Sequence, residues 1–158
     1  MITKTSDLGI QATLYLALRA EETPVPPRII AEVCESSATY TAKVIQHLVR
    51  AGIMRSTKGS KGGVTLAMHP REISLLDIIE ACQGKILAEY CEDYDDTSRL
   101  CGLHKAMMQL NGAITQVLTQ WTVQSLVDNP TPHDSVRDHI DCKLRNICAM
   151  CNNCVFDQ

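Results

Sequence analysis

Apolar positions recur along this chain with two different periods, and the change of period marks out its elements. From Asp7 to Ala20, Leu8, Ala12, Tyr15 and Leu16 fall at helical spacing, with Ser6 or Asp7 placed to cap the first turn. Glu21 to Pro27 reads as a turn, and Pro27 suits the first turn of a short helix running to Glu35, with Ile29, Ile30 and Val33 facing a core. Ser36-Ser37 caps a third helix whose buried stripe is Val44, Ile45, Leu48 and Val49, and Gly52 stops it. The period then shortens. Ile53 to Ser56 and Val64 to Leu66 flank Thr57-Lys58-Gly59-Ser60-Lys61-Gly62-Gly63, which predicts a β-hairpin around a glycine- and lysine-rich turn. Helical spacing returns from Ser74 to Cys82, through Leu75, Leu76, Ile78 and Ile79.

Beyond an acidic segment at 89–103, Met107, Leu110, Ile114, Val117 and Trp121 are spaced alternately three and four apart. That pattern predicts one long helix from His104 to about Asp128 with a coiled-coil-like seam. Asn129-Pro130-Thr131-Pro132 ends it, and one more helix is expected over 134–147. The fold class is therefore mainly α with a small β-hairpin wing: a winged helix-turn-helix followed by a long dimerisation helix. The domain reading is 1–82 for the DNA-binding head, 83–103 for a loop bearing metal-ligand residues, 104–128 for the dimerisation helix and 129–158 for a cysteine-rich tail.

Composition changes the picture in two places. The net charge of −3 argues against a polyanionic partner, but its distribution reverses that. Between Lys43 and Arg71 lie six basic residues (Lys43, Arg50, Arg55, Lys58, Lys61, Arg71) and no acidic one, whereas Glu92, Asp93, Asp95 and Asp96 bunch beside Cys91. A localised basic face on a winged helix suits double-stranded DNA. Ser37, Thr39, Tyr40 and Lys43 would reach phosphates and base edges from the third helix, with Gln46 and His47 further along it. Lys58 and Lys61 would reach phosphates or the minor groove from the wing. A two-fold protein would match a palindromic operator, so a homodimer is expected.

The second change is sulfur. Of eight cysteines in 158 residues, six form two clusters, Cys91-x9-Cys101-x2-His104 and Cys142-x5-Cys148-x2-Cys151-x2-Cys154. No segment is long enough to span a membrane and no signal-peptide pattern opens the chain, so a cytoplasmic location is expected. There, clustered cysteines bind metals or do redox work more often than they form structural disulfides. The tail cysteines are candidates for zinc or an iron–sulfur cluster, or for thiol switching. Cys34 and Cys82 sit on apolar faces and read as core. The glycine-rich turn lacks a Gly-Lys-Ser/Thr ending and opens no helix, which argues against a nucleotide cradle. No nucleophile–base pairing or substrate pocket is legible, so an enzyme is not expected, and a small electron carrier is disfavoured by the basic stretch.

These residues resemble the Rrf-two family of bacterial winged-helix regulators, of the IscR and NsrR type. The likeness runs from Ile2 to about Val127. It rests on Thr5-Ser6-Asp7-Leu8-Gly9-Ile10, on Ala38-Thr39-Tyr40 through Ala51-Gly52-Ile53, on the wing from Lys58 to Gly63, and on Ser74-Leu75-Leu76-Asp77-Ile78-Ile79. The resemblance implies a dimeric repressor or activator, and in many members an iron–sulfur cluster on the loop before the long helix. That loop usually carries three cysteines and here carries two, Cys91 and Cys101. Cys101-Gly102-Leu103-His104 matches the last loop cysteine and a histidine that is a ligand in some members. Asp7 matches a carboxylate that reaches the other subunit's cluster in some branches. Two thiolates, an imidazole and a carboxylate would hold a [2Fe–2S] centre sensing redox state, nitric oxide or iron status. The bland readings are a helix cap for Asp7, a helix start for His104, and a metal-free thiol pair, or zinc, for the cysteines.

Overall fold

The first helix, α1 (Lys4–Leu18), begins earlier than the expected caps Ser6 and Asp7 because Thr3 takes that role. The Thr3 hydroxyl accepts the Ser6 backbone N–H at 3.2 Å, which places Ser6, buried, and Asp7, half-buried, inside the first turn. The coordinates are a computed structural model, described here over residues 2–19, 23–59, 62–86, 100–129 and at Ile147. Pro27 opens α2 (Pro27–Val33), and Glu35, at φ 49°, turns the chain into Ser37, whose side chain caps α3 (Ala38–Arg50). Together α2 and α3 make the helix-turn-helix. Gly52, at φ 76°, supplies the left-handed residue that stops α3.

Strands β1 (Met54–Thr57) and β2 (Gly63–Leu66) pair antiparallel, with Arg55 opposite Thr65 and Ser56 opposite Val64. Val25 adds a bridge to the outer side of β2, exchanging N–H···O bonds of 2.9 and 2.8 Å with Val64. This close approach is why position 63 must be glycine: a Cβ there would lie 2.6 Å from the Val25 backbone. A single 3-10 turn (Pro70–Glu72) leads to α4 (Leu75–Gln83), which Ser74 and Asp77 open with a reciprocal capping box.

The expected single helix over 104–128 is interrupted. It is α5 (Gly102–Gln120) followed by α6 (Val123–Asp128), with Trp121 extended between them at φ −88°, ψ 116°. Long-range backbone pairing competes with helix continuation here. Leu75 N–H donates to Trp121 O and Val123 N–H to Ile73 O, both at 2.8 Å, around a Ser74–Thr122 bridge. Thr122 then caps α6.

The core forms where α1 packs against α3, α4 and α6. Leu8, Ala12, Leu14, Ile30, Val44, Leu48, Met54, Val64, Ile73, Ile78 and Val123 are buried in it. So is Ile147, which brings the chain near the end of the expected 134–147 helix back to the head. The rest of that predicted helix lies outside the described residues. No residue of α5 is buried, and Leu110, Val117 and Trp121 are 47, 53 and 46% exposed. Among the described residues no helix is long and apolar enough to cross a membrane.

Candidate nucleic-acid interface and thiol site

The sequence of α3 divides it into two faces. Thr41, Val44, Ile45 and Leu48 are buried, while Thr39, Lys43, Gln46 and Arg50 point outward at helical spacing. Ser37 is exposed and accepts the Tyr40 backbone N–H at 3.2 Å. Tyr40 itself is half-buried against the core, and its hydroxyl shares a 2.9 Å hydrogen bond with Thr5 of α1. It braces the helix more than it presents itself to solvent. His47 is also half-buried. Arg50 was not among the residues singled out on α3, yet it continues the line through Thr39, Lys43 and Gln46; its helical spacing was the available signal.

The wing presents Lys58 to solvent beside Gly59, whose φ of 114° only glycine adopts readily. Lys61 lies outside the described residues. Arg55 projects from β1, with its Nε donating to Thr65 Oγ1 across the hairpin at 3.0 Å. The outward residues of α3 and the wing thus carry Lys43, Arg50, Arg55 and Lys58 within a stretch that holds no carboxylate. Such a surface can neutralise phosphates along a duplex.

At the start of α5 stands Cys101, extended in backbone and exposed, with its Sγ 2.9 Å from His104 Nδ1. The thiol sits at the positive end of the helix. The His104 backbone N–H, and then the His104 imidazole, favour the thiolate and lower the Cys101 pKa from 9.0 to about 7. Burial does the opposite to Cys34 and Cys82, raising both to about 11, in keeping with core roles. Cys82 Sγ packs directly over Gly9, where a Cβ would come within 2.7 Å of the sulfur.

Cys101 and His104 are thus brought together, a soft and a borderline donor of the kind that bind iron or zinc. Asp7 is not brought to them within one chain, because no group of three or more potential ligands converges among the described residues. Cys91, Cys142, Cys148, Cys151 and Cys154 lie outside those residues. What sequence reasoning missed is the link between the end of α4 and the start of α1. Gln83 Oε1 accepts from Thr3 N at 3.0 Å and from Ser6 Oγ at 2.6 Å. The chain entering the cysteine loop is therefore clasped to the turn that carries Asp7. One residue away, Thr5 holds Tyr40 of α3.

The family model of the Rrf2 iron-dependent transcriptional regulators matches residues 2–129. The chain is 30% identical over 148 residues to the transcriptional regulator IscR of Aliivibrio salmonicida, covering 92% of this chain and 88% of the relative. It is 31% identical over 134 residues to the transcriptional repressor NsrR of Streptomyces coelicolor, covering 82% and 90%. Among solved structures, CymR, the global cysteine regulator of B. subtilis, superposes with a TM-score of 0.67 at 26% identity, over 82% of this chain and 97% of that one.

Proposed function

Because the chain belongs to the Rrf2 family, whose members are transcriptional regulators rather than enzymes, we propose that it is a homodimeric winged-helix regulator whose operator binding is set by an iron–sulfur cluster at the head of α5. Residues 1–82 would be the reader, 83–103 the sensor loop, 104–128 the pairing segment and 129–158 an accessory tail. Ser37, Thr39 and Lys43 would reach into the major groove, Tyr40 would hold the angle of α3, and Lys58 and Lys61 would contact phosphates from the wing. The unburied α5 face of Leu110 and Val117, with Trp121 exposed just beyond its end, supports pairing with a second copy, which suits palindromic double-stranded DNA.

The observation that carries the reading is the Cys101–His104 pair, 2.9 Å apart at the head of a helix that its own chain leaves unburied. Cys91, Cys101, His104 and Asp7 of the partner subunit would hold a [2Fe–2S] centre. When bound, such a centre supplies redox and ligand-exchange chemistry, with a potential raised by neutral imidazole ligation. Cys101 would hold the start of α5, and Gln83 would hold the other end of the loop to α1. A change in the loop would then reach Tyr40 through Ser6 and Thr5. Cys142, Cys148, Cys151 and Cys154 would form a second site for zinc or an iron–sulfur cluster.

Anaerobic purification with iron and sulfide analysis, visible and Mössbauer spectra tests this directly. A coloured protein that Cys91→Ala or Cys101→Ala bleaches is expected, with operator affinity that changes on cluster loss. An iron-free protein after anaerobic reconstitution would sink the cluster and leave the DNA reading standing. A second reading, a thiol switch or zinc at the same residues, is favoured by the low Cys101 pKa and by the likeness to CymR. It predicts operator binding that responds to peroxide or zinc without iron.

A further inference from the structure

A cavity of about 420 Å³ opens between the last turn of α1, β1, β2 and the Ala67–Pro70 turn. Its volume lies in the range of small-molecule sites. Arg19 forms one wall, with its guanidinium 5.8 Å from the centre of the Tyr15 ring and its Nη1 donating to the Tyr15 hydroxyl at 3.2 Å. The Nε of Arg19 is buried and has no partner. Only one other buried side-chain polar atom among the described residues shares that condition, Thr41 Oγ1 on α3. A buried donor on a charged group is costly to leave unmatched, so this guanidinium is short of acceptors; Nε itself is covered by protein, and a ligand in the cavity would have to meet the other guanidinium nitrogens.

Other residues of the lining supply more positive character and donors. Arg55 uses Nε on Thr65 and keeps its terminal nitrogens for other acceptors. His69 Nδ1 accepts the Arg71 backbone N–H at 3.2 Å, so in the neutral ring the proton sits on Nε2 as a donor. No carboxylate lines the cavity among the described residues, and Leu16, Val25 and Leu66 add apolar surface to its lining. Two arginines that line one cavity together with apolar side chains match an anionic head on a short apolar body. A planar carboxylate fits the guanidinium fork better than a spherical ion does.

We infer that this cavity binds a small organic carboxylate with an aliphatic tail, through Arg19 and Arg55. Such a ligand would tie the base of the wing to α1, and so give the protein an input separate from the cysteine loop.

The test uses the full-length protein and a series of straight-chain monocarboxylates from acetate to octanoate, with inorganic phosphate for comparison. NMR titration should shift amides of Leu16, Arg19, Thr65 and Leu66, with affinity rising with chain length. Arg19→Gln should weaken binding at least tenfold, Arg19→Lys less, and Lys58→Gln at the wing tip not at all. Arg55→Gln, on an exposed strand position, gives a second reading should Arg19→Gln perturb folding. Absence of localised shifts at concentrations well above millimolar overturns the inference. So does phosphate binding as tightly as the longest carboxylate, which would mean a simple cationic patch. An Arg19→Gln protein that loses operator affinity with a flatter salt dependence, but keeps carboxylate binding, would assign the arginine to DNA instead.

Discussion

Ile147 offers a sharp test of how the tail relates to the head. It is fully buried within the core cluster although it lies beyond the proline-containing break at 129–132. Ile147→Ala removes three carbons from that core. At about 0.8 kcal/mol per buried methylene the transfer loss is about 2.4 kcal/mol, and an incompletely collapsed cavity raises the total to about 3 kcal/mol. For a chain of this length each kcal/mol shifts the midpoint by about 2–4 °C, so Tm should fall by about 6–12 °C. The assay is urea and thermal unfolding followed by circular dichroism, on reduced, chelated protein at fixed protomer concentration. Ending the chain after Asn129 should cost at least as much. Lys58→Ala, an exposed change, should stay within about 0.5 kcal/mol. An Ile147→Ala protein as stable as that control would refute the docking of the tail on the head.

Other expectations follow from the described geometry. Alkylation of Cys101 in metal-free protein should reach half its maximal rate near pH 7, the thiolate being present above that pH and lost as pH falls through it. His104→Ala should move the midpoint toward the ordinary value of 9.0, with Cys34 and Cys82, at about 11, silent across the range; peptide mapping by mass spectrometry reads all three. Leu110→Glu with Val117→Lys should yield monomers by analytical ultracentrifugation while the helical signal persists, and unchanged dimers would remove α5 as the pairing face. Lys58→Gln should lower the salt slope of operator binding by about 1, and an unchanged slope would mean that Lys58 touches no phosphate. Gln83→Leu leaves Thr3 N and Ser6 Oγ without their acceptor, at a cost of about 1–2 kcal/mol. Faster amide exchange at the start of α1 would accompany it, and unaltered exchange would count against the clasp.

The winged helix was legible because each helix writes its core face into a three-to-four spacing and the hairpin carries its own turn chemistry. The start of α1 was misplaced because several hydroxyl residues compete for one cap, and geometry selects Thr3. The break at Trp121 was hidden by an apolar residue that continues the seam. Its cause is backbone pairing with residues 73–75, which no local window contains. Thr122 followed by Ser125 was a faint cap signal inside that helix. Cys101 and His104 could be paired from sequence because a residue at a helix start and another three later share one end of the helix. The Gln83 clasp and the arginine cavity join residues far apart in the chain, so only the fold assembles them.

The Ser74–Thr122 bridge has a consequence for how such a protein can change over generations. Ser74 starts α4 and Thr122 starts α6, so the two ends of the excursion through the cysteine loop and α5 are stitched together at the body. A loop whose ends are fixed this way can gain or lose residues at little entropic cost, because closure depends only weakly on length. Loop composition is then free to drift while the reader keeps its shape. The residues of such a loop can be exchanged without disturbing the helix-turn-helix, whose core lies on the other side of the stitch.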